Sequence, residues 1–247
     1  MNRTAALFAL VVLAVVSPAR AQRFSWPEKP ENLQVLEGMT GQELRPIMRE
    51  FTQALGVRCS YCHVGEEGQS LAEFDFVSDL KPEKVTTRSM MRMAATIEQA
   101  LAELPREDES KTPVEFGCVT CHRGRPRPTS LVDELTEAYA EGGVEEALAT
   151  YDGLKEKFLL QGCYDFREPA LNDFAYTLLE SGDTDGAIRA LTKNAELFPE
   201  SGNVWDSLAE ATLAAGDPEQ ARIYYKKALE LDPRNRNAAA KLESLER

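Results

Sequence analysis

Hydrophobic residues recur at helical spacing in MTGQELRPIMREFTQALGVRC, residues 39–59. Apolar side chains fall at relative positions 0, +3, +4, +7 and +11, namely Leu44, Ile47, Met48, Phe51 and Leu55. This spacing predicts an amphipathic helix with one apolar face. Thr40 and Glu43 have the spacing of a capping box, and Gly56 stands where a helix would stop. Pro46 lacks an amide hydrogen, so we expect it to bend the helix or to delay its start.

A second apolar stripe lies in PEKVTTRSMMRMAATIEQALAEL, residues 82–104. Its members, at 0, +3, +4, +7, +11 and +14, are Met90, Met93, Ala94, Ile97, Leu101 and Leu104. Met91 lies off the stripe. The pattern predicts a longer helix that carries methionines on its apolar face.

Beyond the Pro- and Arg-rich connector RGRPRPTS, residues 123–130, the chain repeats itself. Residues 174–199 align with residues 208–233 at a constant offset of 34. The matched pairs are Ala175 and Ala209, Gly182 and Gly216, Asp183 and Asp217, Ala187 and Ala221, Leu197 and Leu231, and Pro199 and Pro233. This period resembles that of the tetratricopeptide repeat. A weaker copy around Ala147 and a closing segment, NAAAKLESL, complete three predicted helix pairs and a cap, which is close to the minimum for a stable stack.

The first 21 residues, MNRTAALFALVVLAVVSPARA, have the features of an export signal. A basic residue, Arg3, precedes a short apolar run, which closes on the cleavage pattern Ala19-Arg20-Ala21. The alternative is an uncleaved anchor, although the apolar run is short for spanning a bilayer. No cysteine stands at the cleavage point, so lipid attachment has no support. We therefore expect an exported, periplasmic protein without a transmembrane anchor in its mature form.

The charge is acidic and unevenly distributed. The full chain has a net charge of −13. Residues 22–128 carry 14 basic and 17 acidic side chains, whereas residues 129–247 carry 12 and 24. Such a surface repels phosphate backbones and anionic lipids, which argues against nucleic acid and acidic membranes as partners. Partner proteins with basic surfaces are expected instead.

The motif C-x-x-C-H occurs twice and takes up both histidines of the chain and four of its five cysteines. The two motifs comprise Cys59, Cys62 and His63, and Cys118, Cys121 and His122. Covalent attachment of a c-type haem needs two thiols and an adjacent imidazole, which ligates the iron. The two motifs therefore predict two covalently bound c-type haems.

Three alternative chemistries for these cysteines stay open but fit the motifs less well. A zinc site of four thiolates gives no reason for a histidine after each pair. A dithiol redox site needs a thioredoxin-like pattern nearby, which neither flank offers. Plain disulfides are chemically feasible in an exported protein. The fifth cysteine, Cys163, is interpreted as a small buried hydrophobic residue.

No histidine remains for the opposite side of either iron, so methionine is the expected second axial ligand. Spacing alone offers Met48 for the first haem and either Met90 or Met93 for the second. The alternative is that these methionines only fill the core, which is their more frequent role on an apolar stripe.

Several segments in order resemble the cytochrome c subunit of photosynthetic reaction centres across residues 33–128. They are the helix with its methionine ahead of RCSYCHVGEE, the R-x-M-x-x-M helix VTTRSMMRMAATIEQ, and FGCVTCHRGRPRP. The resemblance implies a mainly α fold, electron transfer, and axial ligation by Met48 for the first haem and by Met90 for the second, with Met93 as the alternate. The family usually carries four haems, whereas this chain has motifs for two, and the repeats are foreign to the typical subunit.

Together these patterns predict a signal peptide at residues 1–21, a dihaem cytochrome c domain at 22–128 and a tetratricopeptide-repeat solenoid at 129–247. Arg123 and Arg125 are candidate partners for haem propionates, because guanidinium pairs well with carboxylates; a solvated basic loop is the alternative. The expected function is electron transfer rather than catalysis, with redox partners of basic surface and a protein partner on the repeats. Peripheral association with a membrane redox complex is compatible with this expectation. The alternatives are a dihaem peroxidase-like enzyme and a carrier of a non-photosynthetic respiratory chain.

Overall fold

The structure, a computed structural model, describes residues 24–105 and 115–246. Within these ranges the regular structure is helical. The helices are α1 Gly41–Leu55, α2 Cys59–Cys62, α3 Pro82–Ala102, α4 Cys118–His122, α5 Leu131–Phe158, α6 Glu168–Ser181, α7 Thr184–Leu197, α8 Gly202–Ala214, α9 Pro218–Leu231 and α10 Arg236–Leu245. The prediction of a mainly α protein is confirmed. The proposed signal peptide lies outside the described residues.

The described chain divides into two compact units. The first contains residues 24–49 and 58–103, and the second contains residues 50–57, 104–105 and 115–246. The first motif and the methionine-bearing helix α3 belong to the first unit. The second motif belongs to the second unit, together with the repeats. The domain boundary expected at residue 128 stays a prediction.

Helix α1 begins with the capping box that its sequence indicates. The backbone amide of Thr40 donates to Glu43 Oε2 at 2.7 Å, and the amide of Glu43 lies 3.4 Å from Thr40 Oγ1. These bonds satisfy amides that have no partner within the helix. Pro46 is accommodated inside the helix, and the helix ends just before Gly56, which has a positive φ of 65°.

The repeats form helix pairs whose crossings are filled by small residues. Helix α5 is interrupted at Gly142 and Gly143, so its two parts form the first pair; α6 with α7 and α8 with α9 form the next two. Ala147, Ala187 and Ala221 are fully buried, which lets the helices approach closely. The three predicted pairs are therefore present, and α10 follows them as the expected cap.

The repeated Gly-Asp step has a structural reason in both copies. Gly182 and Gly216 adopt positive φ values of 90° and 88°, a conformation that side chains disfavour. The aspartate that follows caps the next helix: Asp183 accepts from the amide of Gly186, and Asp217 from that of Gln220. One dipeptide thus ends one helix and starts the next.

Candidate cofactor sites

The first cysteine motif forms a single helical turn. Cys59 and Cys62 lie at the two ends of α2, three residues apart, which places them on the same side of the turn. His63 follows in an extended conformation, and its amide donates to Cys59 O at 3.0 Å. No disulfide links the cysteines of the described chain.

The ring of His63 lies in an apolar setting. It contacts Phe76 edge to face, with 4.9 Å between ring centroids, and its Nδ1 is buried without a hydrogen-bond partner among the described residues. Burial, reinforced by the nearby cations of Lys84 and Arg88, lowers the pKa of His63 to about 4. The imidazole is therefore neutral at pH 7.

Two cations of α3 hold the loop that carries Phe76. Lys84 Nζ donates to the carbonyl oxygens of Phe76, Val77 and Ser78 at 2.9, 3.0 and 2.9 Å. The ammonium also lies 3.2 Å from a carboxylate oxygen of Asp79. One side chain thus gathers four consecutive residues of this loop.

Arg88 extends the same network to the start of the unit. Although it is charged, it is only 8% exposed. Its guanidinium lies 2.9 Å from Asp79 Oδ2 and donates to the carbonyl of Asn32 at 3.0 Å. Hydrogen bonds from Arg88, Asn32 and Lys84 hold the pKa of the Asp79 carboxyl well below its usual range. Sequence reasoning missed this network; its one local signal is the pair of cations four residues apart on α3.

The methionines proposed as axial ligands differ in exposure. Met48 is half-buried on α1, whereas Met90 and Met93 on α3 are 37% and 49% exposed. Met91, which lies off the predicted stripe, is half-buried. Met48 and Met90 belong to the same compact unit as His63. The assignment of Met48 to the first motif and of Met90 or Met93 to the second stays a prediction.

The second motif is also one helical turn, α4. Gly117 precedes it in an extended conformation, and its amide donates to Thr120 Oγ1 at 3.1 Å. After His122 the chain turns sharply, because Arg123 and Gly124 both have positive φ values, 47° and 85°. The amide of Gly124 donates to Ala54 O at 2.8 Å, so the turn is tied to the end of α1.

The imidazole of His122 has a fixed orientation. Its Nδ1 lies 2.8 Å from the carbonyl oxygen of Arg125. A carbonyl only accepts hydrogen bonds, so Nδ1 carries a proton, and in the neutral imidazole the lone pair is on Nε2. Metal-binding histidines commonly have this arrangement, in which one nitrogen donates to a backbone oxygen and the other ligates.

The side chain of Arg125 anchors the turn that holds His122. It is buried, and it donates to the carbonyl oxygens of Thr129 at 3.0 Å and of Cys163 at 3.1 Å. Its guanidinium stacks on the ring of Tyr164 at 3.8 Å. The segment between the first two repeats therefore supports the second motif.

Cys163 reinforces this support, since it is buried and its Sγ lies 2.6 Å from Arg123 O. Arg123 itself is exposed, and its guanidinium donates to Gly162 O at 3.3 Å. Propionate pairing by Arg123 and Arg125 stays a prediction, and the guanidinium of Arg125 already has the partners described. The sequence analysis did not predict this role of residues 162–164. The only sequence feature that marks them is the insertion between the first two repeats, in which they lie.

The residues present fit a c-type haem at each motif. Each motif places a cysteine at both ends of one helical turn, with a histidine directly after the second. His122 offers Nε2 as a ligand, and the neutral ring of His63 has a buried Nδ1 without a hydrogen-bond partner among the described residues. The described residues contain no group of three or more His, Cys, Asp or Glu side chains arranged for a metal ion. No helix in residues 24–105 and 115–246 is long and apolar enough to cross a membrane.

Fold and site together define a helical c-type cytochrome unit joined to tetratricopeptide repeats. A family profile described as "Photosynthetic reaction centre cytochrome C subunit" matches residues 10–151, and one described as "Tetratricopeptide repeat" matches residues 178–245. The chain belongs to the family of the photosynthetic reaction centre cytochrome c subunits and carries tetratricopeptide repeats after that region. Covalent haem, electron transfer and protein docking are implied at the level of these families. A comparison with curated proteins gave no match.

Solved structures similar to this chain are repeat proteins. The second tetratricopeptide domain of human RPAP3, in complex with an HSP70 peptide, is 18% identical, with a TM-score of 0.35; the match covers 48% of this chain and 93% of that one. PcrH from Pseudomonas aeruginosa is 19% identical, with a TM-score of 0.32 and coverage of 47% and 93%. TM-scores this low identify no ligand for the present chain.

Proposed function

We propose that this protein is an exported dihaem c-type cytochrome that transfers electrons in the periplasm and docks a protein partner through its repeats. Bound haem supplies a reversible one-electron couple at its iron. Cys59 and Cys62 would hold the first haem covalently, and Cys118 and Cys121 the second. His63 and His122 would ligate the irons.

Met48 would be the second protein ligand of the first haem and Met90 that of the second, with Met93 as the alternate. Thioether ligation raises the reduction potential relative to a second histidine. Phe76 contacts the His63 ring, which supports a site that excludes water. Arg123 is the more available propionate partner, since Arg125 is buried against Tyr164.

The orientation of His122 carries this proposal. Its Nδ1 donates to Arg125 O, directly after a helical turn that bears two cysteines in the spacing that haem attachment requires. A zinc site of four thiolates or a disulfide would have no use for an imidazole held in this way.

The decisive experiment counts haems. The full chain is produced in a host with haem-maturation machinery and examined by pyridine haemochrome and intact mass. We expect two haems in the parent protein, and one each in Cys59→Ala/Cys62→Ala and in Cys118→Ala/Cys121→Ala. Cys163→Ala removes a thiol outside both motifs and should retain two haems, although it should lower the stability of the turn after His122 that Cys163 contacts. A parent chain without added haem would disprove the proposal.

The chain has two haem motifs rather than the usual four, and it carries added repeats. These features agree as well with a respiratory or other periplasmic electron carrier as with a photosynthetic one. Deletion of the gene distinguishes the photosynthetic from the respiratory assignment. Loss of light-driven cytochrome oxidation in membranes from a photosynthetic source would favour an electron carrier to a reaction centre. Unchanged light-driven oxidation with slowed respiratory electron transfer would favour the other assignment.

A further inference from the structure

Two carboxylates on helix α8 form an acidic cluster with side chains from three other helices. The cluster is defined by Tyr176 on α6, Asp206 and Glu210 on α8, Tyr225 on α9 and Asn237 on α10. The phenol of Tyr176 donates to Glu210 Oε2 at 2.5 Å. The amide nitrogen of Asn237 lies 3.1 and 3.0 Å from the two oxygens of Asp206 and 3.2 Å from Glu210 Oε1. The cluster thus joins successive repeats.

The two carboxylates have neutral donors only. Asp206 is 9% exposed, yet neither it nor Glu210 takes part in any ion pair among the described residues. Some other acids of the same unit do form ion pairs, as Asp152 does with Lys193 at 2.7 Å. A carboxylate that is largely removed from water needs a cationic partner, because neutral donors compensate its charge incompletely.

A buried hydroxyl points to the same place. Tyr225 is fully buried, and its Oη has no hydrogen-bond partner among the described residues. Burial raises the pKa of this phenol, and the nearby negative charges of Glu210 and Asp206 raise it further. Asn172, one turn before Tyr176 on α6, also has a buried Oδ1 for which the described part of the chain provides no hydrogen-bond donor. The region therefore has unused acceptors as well as unbalanced negative charge.

We infer that the acidic cluster receives an arginine side chain from a basic segment of a partner protein. A guanidinium presents five donors in a planar fork, which matches two carboxylates and neighbouring neutral acceptors better than a point charge does. Asp206 and Glu210 would take the charge-assisted hydrogen bonds, and Tyr225 would complete its hydrogen bonding beneath them. The acidic surface around the repeats favours the approach of such a segment. The inference rests on the docking role proposed for the repeats and not on the haems.

The probe is a hexa-arginine peptide, titrated by calorimetry into the full mature chain with its haems, at low and at physiological ionic strength. We expect Asp206→Asn/Glu210→Gln to weaken binding about tenfold or more, the loss expected for removal of charge-assisted hydrogen bonds. The matched control is Glu196→Gln/Glu200→Gln, which removes the same charge from exposed positions of the same unit. It should change the affinity less than about threefold.

Tyr225→Phe tests the buried hydroxyl with little change in volume. It should weaken the peptide severalfold while thermal unfolding shows that the repeats stay folded. A hexa-lysine peptide should bind more weakly than hexa-arginine if the planar fork matters.

Several results would overturn the inference. Equal weakening by the cluster variant and by its control would show nonspecific attraction to an acidic surface, and an unchanged affinity in the cluster variant would place the peptide elsewhere. Tight binding of Ca²⁺ or Mg²⁺ alone that displaces the peptide would make the cluster a cation site instead. If haemochrome analysis finds no haem, the electron-transfer proposal fails and the peptide result stands. If haem is present and the peptide does not bind, only this inference fails.

Discussion

His122 Nδ1 lies 2.8 Å from the carbonyl oxygen of Arg125, three residues further along the chain. The peptide carbonyl that fixes the imidazole is itself fixed, because the side chain of Arg125 is buried between Thr129, Cys163 and Tyr164. The orientation of the second histidine therefore depends on a segment between repeats, about 40 residues away in the sequence. The segment between the first two repeats therefore supports the second motif.

Arg125→Lys tests this dependence at constant charge. Lysine cannot reproduce the planar fork or the stacking on Tyr164, so we expect the free energy of unfolding to fall by about 1–3 kcal/mol. The midpoint potential of the second haem should rise, because a weaker hydrogen bond to Nδ1 makes His122 a less basic ligand. Denaturant titration and redox titration of the protein with its haems measure the two effects.

Arg127→Lys is the control for this variant. Arg127 pairs with Glu137 at the surface, where ion pairs contribute about 0–1 kcal/mol, so both quantities should stay nearly unchanged. Equal effects of the two variants would show that the burial of Arg125 has no special role.

Replacement of the methionines tests the axial ligands. Met48→Leu should remove the weak red absorption band of methionine–iron coordination from one haem, and Met90→Leu should remove it from the other. Each should lower the midpoint potential of its haem, because thioether ligation raises it. Met91→Leu is the matched control and should leave both bands in place. Retention of the second band in Met90→Leu, together with its loss in Met93→Leu, would transfer the assignment to Met93.

Gly56 occupies a position where no side chain fits. Its φ is +65°, and a Cβ there would stand 2.1 Å from the backbone oxygen of Gly124 in the turn after His122. Gly56→Ala should therefore lower the free energy of unfolding by about 1–2 kcal/mol because of the backbone conformation, and further because the turn must be displaced.

Gly38→Ala separates the two contributions. Gly38 also has a positive φ, 79°, but apart from its chain neighbours no described residue comes within 4 Å of the added methyl group. Gly38→Ala should therefore lower the free energy of unfolding only by the about 1–2 kcal/mol that the backbone conformation accounts for. Denaturant midpoints compare the variants, and equal losses would mean that the contact with Gly124 is unimportant.

Asp79 should make the stability of the first unit depend on acidic pH. Its folded-state pKa is lowered, mainly by the hydrogen bond from Arg88 and then by that from Asn32. The contribution is therefore complete above the ordinary pKa of 3.8 and is lost as the pH falls below it towards the lower folded value. Asp79→Asn should reduce this loss of stability below pH 4.

Urea unfolding between pH 2 and pH 6 measures this effect, with Glu98→Gln as the control. Glu98 is an exposed acid on α3, the helix that also carries Lys84 and Arg88. If the parent protein and Asp79→Asn lose stability in parallel below pH 4, the network around Asp79 does not contribute as described.

Helices, repeats and motifs could be predicted because each depends on residues close together in the sequence. The apolar stripe and capping box of α1, and the 34-residue period of α6–α9, all appear in the structure. Helical hydrogen bonds join residues four apart, so the residues that determine a helix lie within one short segment of the sequence. The contacts of Lys84, Arg88 and Arg125 could not be predicted in this way. Arg88 reaches Asn32 across 56 residues, and Arg125 reaches Cys163 across 38.

The sequence by itself determined which residues are the candidates for haem attachment, because thioether formation and iron ligation need particular atoms at a fixed short spacing. It also determined the repeat architecture, because a helix pair that buries small residues must recur to cover its apolar face. Only the tertiary structure decided the environments of the two histidines, namely the buried Nδ1 of His63 and the carbonyl that holds His122. It also decided the acidic cluster that helices α6, α8, α9 and α10 form together in the repeats. Those environments arise from side chains brought together by packing, and the charge and burial they create depend on distances in space rather than along the chain.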